Sequence, residues 1–183
     1  MKKVFFAVIV LFLIQTSFAQ KRYFTKTGTV SFQAGTALED IDGTNKSTTT
    51  VFDAATGQIE FALLVKGFEF KSALMQEHFN ENYMESDKYP KSTFKGKITN
   101  IDKVNFAKDG SYPVMVKGTL DLHGVTKEIE TTGTFKVAGE GVASTAEFII
   151  TLDDFKIAIP GVVKDKISKT AKIKVNCDYA VLK

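Results

Sequence analysis

The sequence predicts an all-β protein of antiparallel strands with one short α-helix. Three observations carry that prediction. Apolar and polar residues alternate in six separate stretches, tight-turn residues fall between these stretches, and helical spacing is confined to one segment. Period-two alternation is how a strand buries one face and wets the other. A single wet face per strand also argues against a parallel sheet, whose strands are buried on both sides.

The chain opens with Met1-Lys2-Lys3, then an apolar run over 4–14, then Ser17-Phe18-Ala19. A positive start, a short greasy middle and small residues before a cut are the layout of a secretory signal, so residues 1–19 are expected to be removed after Ala19. The run is too short for a bilayer span, which needs ~20 residues. Residues 20–183 then form one domain, large enough for a real core, and are expected in the periplasm or outside the cell. The single cysteine leaves no disulfide framework. Loss of Lys2 and Lys3 lowers the formal charge from +3 to +1, which argues against a nucleic-acid partner.

The first clear strand carries Ile59, Phe61, Leu63 and Val65 on one face. Over 72–83, Leu74, Met75, His78 and Phe79 recur at helical spacing, with Glu77, Asn80 and Glu81 opposite, which reads as an amphipathic helix. It must end before Lys88-Tyr89-Pro90, because a residue preceding proline resists helix. Phe94 and Ile98 share the next dry face across Gly96. Asp109-Gly110 marks a tight turn, and Val114, Val116, Leu120 and Leu122 follow. His123-Gly124 leads to Ile129 and Phe135, and Gly139-Glu140-Gly141 to Phe148, Ile150 and Leu152. The last strand is the most regular, with Ala171, Ile173, Val175, Cys177 and Tyr179 alternating with Lys172, Lys174, Asn176 and Asp178. Roughly eight to ten such strands must fold into a sandwich or close into a barrel. A barrel of ~8 strands has room for one small ligand.

Three segments together resemble the YceI-like family of polyisoprenoid-binding, periplasmic proteins. The first is Phe70-Lys71-Ser72-Ala73-Leu74-Met75-Gln76-Glu77-His78-Phe79 with Tyr89-Pro90-Lys91-Ser92-Thr93-Phe94. The second is Gly118-Thr119-Leu120-Asp121-Leu122-His123-Gly124-Val125-Thr126-Lys127, and the third is Asp154-Phe155-Lys156-Ile157 with Val163-Lys164-Asp165-Lys166-Ile167. The resemblance implies a lipocalin-like antiparallel barrel of about eight strands that holds an isoprenoid chain, of quinone or polyprenyl type, along an apolar interior. The sequence departs from the family pattern where an arginine commonly precedes the Asp-Phe pair; here Thr151-Leu152-Asp153 stand.

The expected lining comes from the dry faces: Phe61, Leu63 and Val65; Phe94 and Ile98; Val116 and Leu120; Phe148 and Ile150; Ile173 and Val175. Met75 and Phe79 would project from the helix over one mouth. The same residues would serve a filled core, in which case the protein would act through its surface, in stress response, adhesion or a partner complex. His123 reads as a turn histidine bonded to local backbone, and His78 as half-buried. Two distant histidines and no cysteine cluster give no metal site, and no nucleophile or phosphate-loop motif assigns a catalytic role or a cofactor. Cys177 reads as a buried apolar filler, and Asp153-Asp154 as solvated turn residues. Lys164, Lys166, Lys169, Lys172 and Lys174 read as a wet face that could also touch a membrane surface. Asn45-Lys46-Ser47 matches a glycosylation triplet.

Overall fold

A computed structural model describes residues 21–182, so the expected signal segment 1–19 lies outside the described residues. The strands are β1 (Arg22–Gly35), β2 (Asp42–Asp53), β3 (Gln58–Leu64), β4 (Phe68–Glu69), β5 (Lys91–Ile98), β6 (Gly110–Leu122), β7 (Val125–Ala138), β8 (Gly141–Thr151) and β9 (Ile167–Val181), with helix α1 (Ala73–His78) between β4 and β5. They pair antiparallel in the order β1-β9-β8-β7-β6-β5-β3-β2, and β2 pairs back onto β1. That last pairing closes the sheet, so the fold is a lipocalin-like barrel and not a sandwich. β4 continues the line of β3 along β2, making eight staves in all.

The first two strands leave little alternation to read. In β2 the inward positions include Asn45, Thr48 and Thr50, all essentially unexposed. In β1 the pairing with β2 shifts register between Thr25 and Val30, and a bulge breaks strict alternation. Asn45 sits where β3 gives way to a 3₁₀ turn at Val65–Gly67. Its Nδ2 donates to the Leu64 carbonyl at 3.0 Å and its Oδ1 accepts from the Ser47 amide at 2.9 Å. A Cβ on Gly67 would lie 2.7 Å from that Nδ2, so only glycine lets the turn approach so closely.

The helix begins at an N-cap, Ser72, whose Oγ accepts from the Met75 amide. After His78 it widens into a π-helical turn at Phe79–Tyr83. Met75 and Phe79 face inward as expected, but Leu74 does not: it is 59% exposed on the outer face. A two-residue helical stripe already covers the barrel end, so the third apolar position finds nothing to bury it.

One barrel end is filled. Tyr23 stacks on Phe52 (centroids 4.7 Å), and Phe52 also meets Phe135 at 4.9 Å and Tyr179 edge-on at 4.9 Å. The β5–β6 loop folds beneath them, adding Val104 and Phe106. Ile98 belongs to this filled end, completely buried.

Candidate functional site

Above the aromatic floor the barrel is hollow. An inner chamber of about 160 Å³ is walled by residues from β3, β5, β6, β7, β8 and β9. An outer chamber of about 180 Å³ lies beneath α1. Phe68, Met84, Leu122, Ile150 and Ile173 border both, so the chambers abut at a waist made only of hydrocarbon and thioether. Apolar cavities near 150 Å³ stay dry and accept apolar guests.

Ten residues expected in the lining stand around the inner chamber: Phe61, Leu63, Val65, Phe94, Val116, Leu120, Phe148, Ile150, Ile173 and Val175. Met75 and Phe79 line the outer chamber. Ile98 lines neither. It follows Phe94 on the same face, but β5 at that point has descended into the filled end, where side chains replace the cavity. The alternation missed Phe32, Phe68 and Phe70, which stack around Phe79 at 5.4, 5.5 and 4.9 Å. Phe32 lies in β1, whose period is interrupted, and Phe68 and Phe70 lie after the break in β3, so no periodic run contained them.

The inner chamber also touches hydroxyl residues, and two of them are engaged by backbone carbonyls. Ser92 Oγ donates to the Asp121 carbonyl at 2.8 Å, and Thr131 Oγ1 to the Glu147 carbonyl at 3.3 Å. These groups therefore make few demands on a guest. In the outer chamber the polar side chains are His78 and Tyr83, both at its rim. Partial burial, and then the charge of Glu39, push the Tyr83 phenol up from its ordinary range. Leu152, in the stretch where the family pattern commonly carries arginine, is buried in the outer-chamber wall, while Thr151 and Asp153 face out.

The rim is fastened at His123, which is buried. Its Nδ1 lies 2.9 Å from the Phe155 carbonyl and its Nε2 3.1 Å from Glu85 Oε2. Tyr89 meets the ring edge-on at 4.7 Å. The partners are distant in sequence, so the expectation of a local backbone bond is corrected: this histidine ties the β6–β7 turn to the loops before β5 and after β8. Three non-glycine residues with left-handed backbone meet at this knot: Glu85, His123 and Lys156. Such conformations cost energy and persist only where surrounding contacts hold them.

Among the described residues no cluster of three or more metal-ligating groups occurs. Cys177 is buried, and burial pushes its thiol up to about 11. Asp154 is exposed and pairs with Lys127 at 3.4 Å. Lys172 and Lys174 both reach Glu147, and Lys166 reaches Glu39.

A closed antiparallel barrel with an oily interior and one capped mouth defines a protein of lipocalin-like architecture. The chain belongs to the YceI-like family, whose domain matches residues 23–179. Among solved structures it is similar to a polyisoprenoid binding domain from Saccharophagus degradans implicated in plant cell wall breakdown, with 14% identity, TM-score 0.76, and coverage of 89% of this chain and 99% of that one. It is also similar to Burkholderia cenocepacia BcnA, with 17% identity, TM-score 0.69 and coverage of 84% and 96%. For the Campylobacter jejuni YCEI protein the values are 19%, 0.55, 77% and 84%. At such identities these likenesses bear on the fold. No curated protein matches the sequence.

Proposed function

We propose that this protein is an exported carrier or store that holds one long isoprenoid lipid, tail inward, within the two chambers. The observation that carries the reading is the waist: two abutting cavities with an almost unbroken hydrocarbon wall, lying between a filled floor and a capped mouth. A hydrocarbon chain needs no catalytic group, only a dry path. At ~0.8 kcal/mol per buried CH₂, a dozen carbons contribute on the order of 10 kcal/mol gross, and ordering takes back several kcal/mol. The aromatic floor stops the tail, and His78 and Tyr83 meet the head group at the rim. No lysine or arginine lines either chamber. A neutral quinone-type head therefore fits better than a phosphorylated one, since nothing there would offset a buried anion. The N-terminal layout supports an activity in the periplasm, and loading would involve transient contact with a membrane surface.

Native mass spectrometry and lipid extraction of protein purified gently from its own host test the reading. The expected result is a stoichiometric isoprenoid adduct, rebuilt when emptied protein meets a long-chain quinone. Protein that is always empty and takes up no such quinone would overturn it.

A further inference from the structure

The barrel wall is not uniformly zipped. The ladder between β7 and β8 starts at Ala138–Gly141 and stops at Gly133–Ala146. Both strands continue, but each keeps only its other neighbour: β7 stays paired with β6 up to Val125, and β8 with β9 up to Thr151. The strands meet again through the loop after β8, where Lys127 pairs with Asp154 at 3.4 Å and His123 holds the Phe155 carbonyl. Between these two closures lies a window spanning 127–133 of β7, about 20 Å long at ~3.3 Å per residue. The Thr131–Glu147 bond crosses it near its lower end.

The local chemistry explains why the seam stays open. Glu147 is drawn the other way by Lys172 and Lys174 of β9. Phe155 is buried where the 3₁₀ turn after β8 (Asp153–Phe155) packs against β7 and β8, so a side chain stands where ladder bonds would otherwise run at the upper end. Ile129 and Thr131 on one side, with Phe148 and Ile150 on the other, border the inner chamber directly. Ile129 and Phe148 point inward yet stay only half-buried, and Ile149 on the outer face is 68% exposed. By contrast the mouth beneath α1 is stoppered by the Phe32, Phe68, Phe70 and Phe79 rings.

We infer that the β7–β8 window is a second opening to the chamber, through which an apolar chain threads sideways without displacing the helix. The inference rests on the carrier reading for its physiological ligand, but the opening itself is a property of the wall. Parting the strands here breaks no ladder, whereas parting them elsewhere breaks several backbone hydrogen bonds at once.

The test is a tether across the window. In the full chain, E130C and I149C are joined by a bis-maleimide with a disulfide in its spacer; Cys177 is buried and remains protonated. Stopped-flow uptake and release of parinaric acid, a fluorescent polyene fatty acid, are then compared with unmodified protein. The expected result is at least a tenfold slowing of both rates with unchanged affinity, reversed when the spacer is reduced. A control tether between E39C and K166C, whose native side chains lie 3.0 Å apart at the mouth, should leave the rates alone. Unchanged rates with the window tethered, or slowing only with the mouth tethered, would overturn the inference. Protein that admits parinaric acid through the window but no long-chain quinone would sink the isoprenoid reading and keep the window. Protein that admits neither would sink both.

Discussion

At the lower end of the barrel, Phe52 has ring partners at 4.7, 4.9 and 4.9 Å and is 1% exposed. Midway up, Phe148 lies on the same inward-facing surface and borders open space. Both are phenylalanines on long strands of one closed sheet, so alternation does not distinguish them. What differs is what stands across the bore. Below, the β5–β6 loop feeds Val104 and Phe106 into the centre and the rings interlock. Above, no loop enters, and facing side chains are too far apart to fill the space. The lesson is that hollowness is set by the connections at the barrel ends and not by the dry faces themselves.

Truncation should break this comparison most forcefully at the floor. Phe52→Ala should cost about 3–5 kcal/mol, as ring deletions in filled cores do, measured as a fall in urea midpoint at constant slope. An equal loss for Phe148→Ala would show that the upper half is filled as well.

Next in size is an alkaline effect centred on the filled end. The Cys177 thiol is held at about 11 by burial, above its ordinary value near 9, and the Tyr179 phenol is pushed up from 10 by burial, and then by Cys177. A raised folded-state value favours the protonated form. The Cys177 contribution is therefore complete below about pH 9 and is lost as pH climbs through 11, by roughly 2–3 kcal/mol. Denaturation curves at pH 8 and pH 11 should show the drop, and Cys177→Ala should reduce it. An identical drop in the variant would assign the effect elsewhere.

Phe148→Ala should cost only about 1 kcal/mol, because part of its cavity term already exists. Its larger consequence is a preference for longer or bulkier guests, read by competition between quinones of different chain length. Leu74→Ser on the outer helix face should change stability by less than ~0.5 kcal/mol and leave ligand uptake untouched, which thermal melts with and without quinone would check.

Much of the wall was legible because β3 and β5–β9 alternate cleanly, and most inward residues of those strands reach the chambers; Ile98, Val137, Val142, Cys177 and Tyr179 pack into the filled end instead. Strands β1 and β2 were not legible. Between Tyr23 and Phe52 their buried positions include Thr25, Asn45, Thr48 and Thr50, whose polarity hides burial from a hydrophobic count. Phe68 and Phe70 were lost for a related reason, since a strand interrupted by Val65–Gly67 has no period to follow. His123 showed its turn but not its partners, because Phe155 and Glu85 come to it only through closure of the rim. Nothing in strand periodicity can register an unzipped seam, as the residues on both sides of the window keep their alternation.

The asparagine beneath the break in β3 carries a practical consequence for anyone producing this protein. Asn45 heads an Asn-Lys-Ser triplet, yet it has no exposure, and its amide oxygen and nitrogen are both engaged inside the fold. A sugar chain attached there by a eukaryotic secretory host would arrive before the sheet closes, and its bulk would then stand between β2 and the turn at Gly67. Material made in yeast or mammalian cells should be glycosylated and misassembled together, while bacterial expression, or Ser47→Ala at the exposed third position of the triplet, avoids the collision and keeps the buried amide.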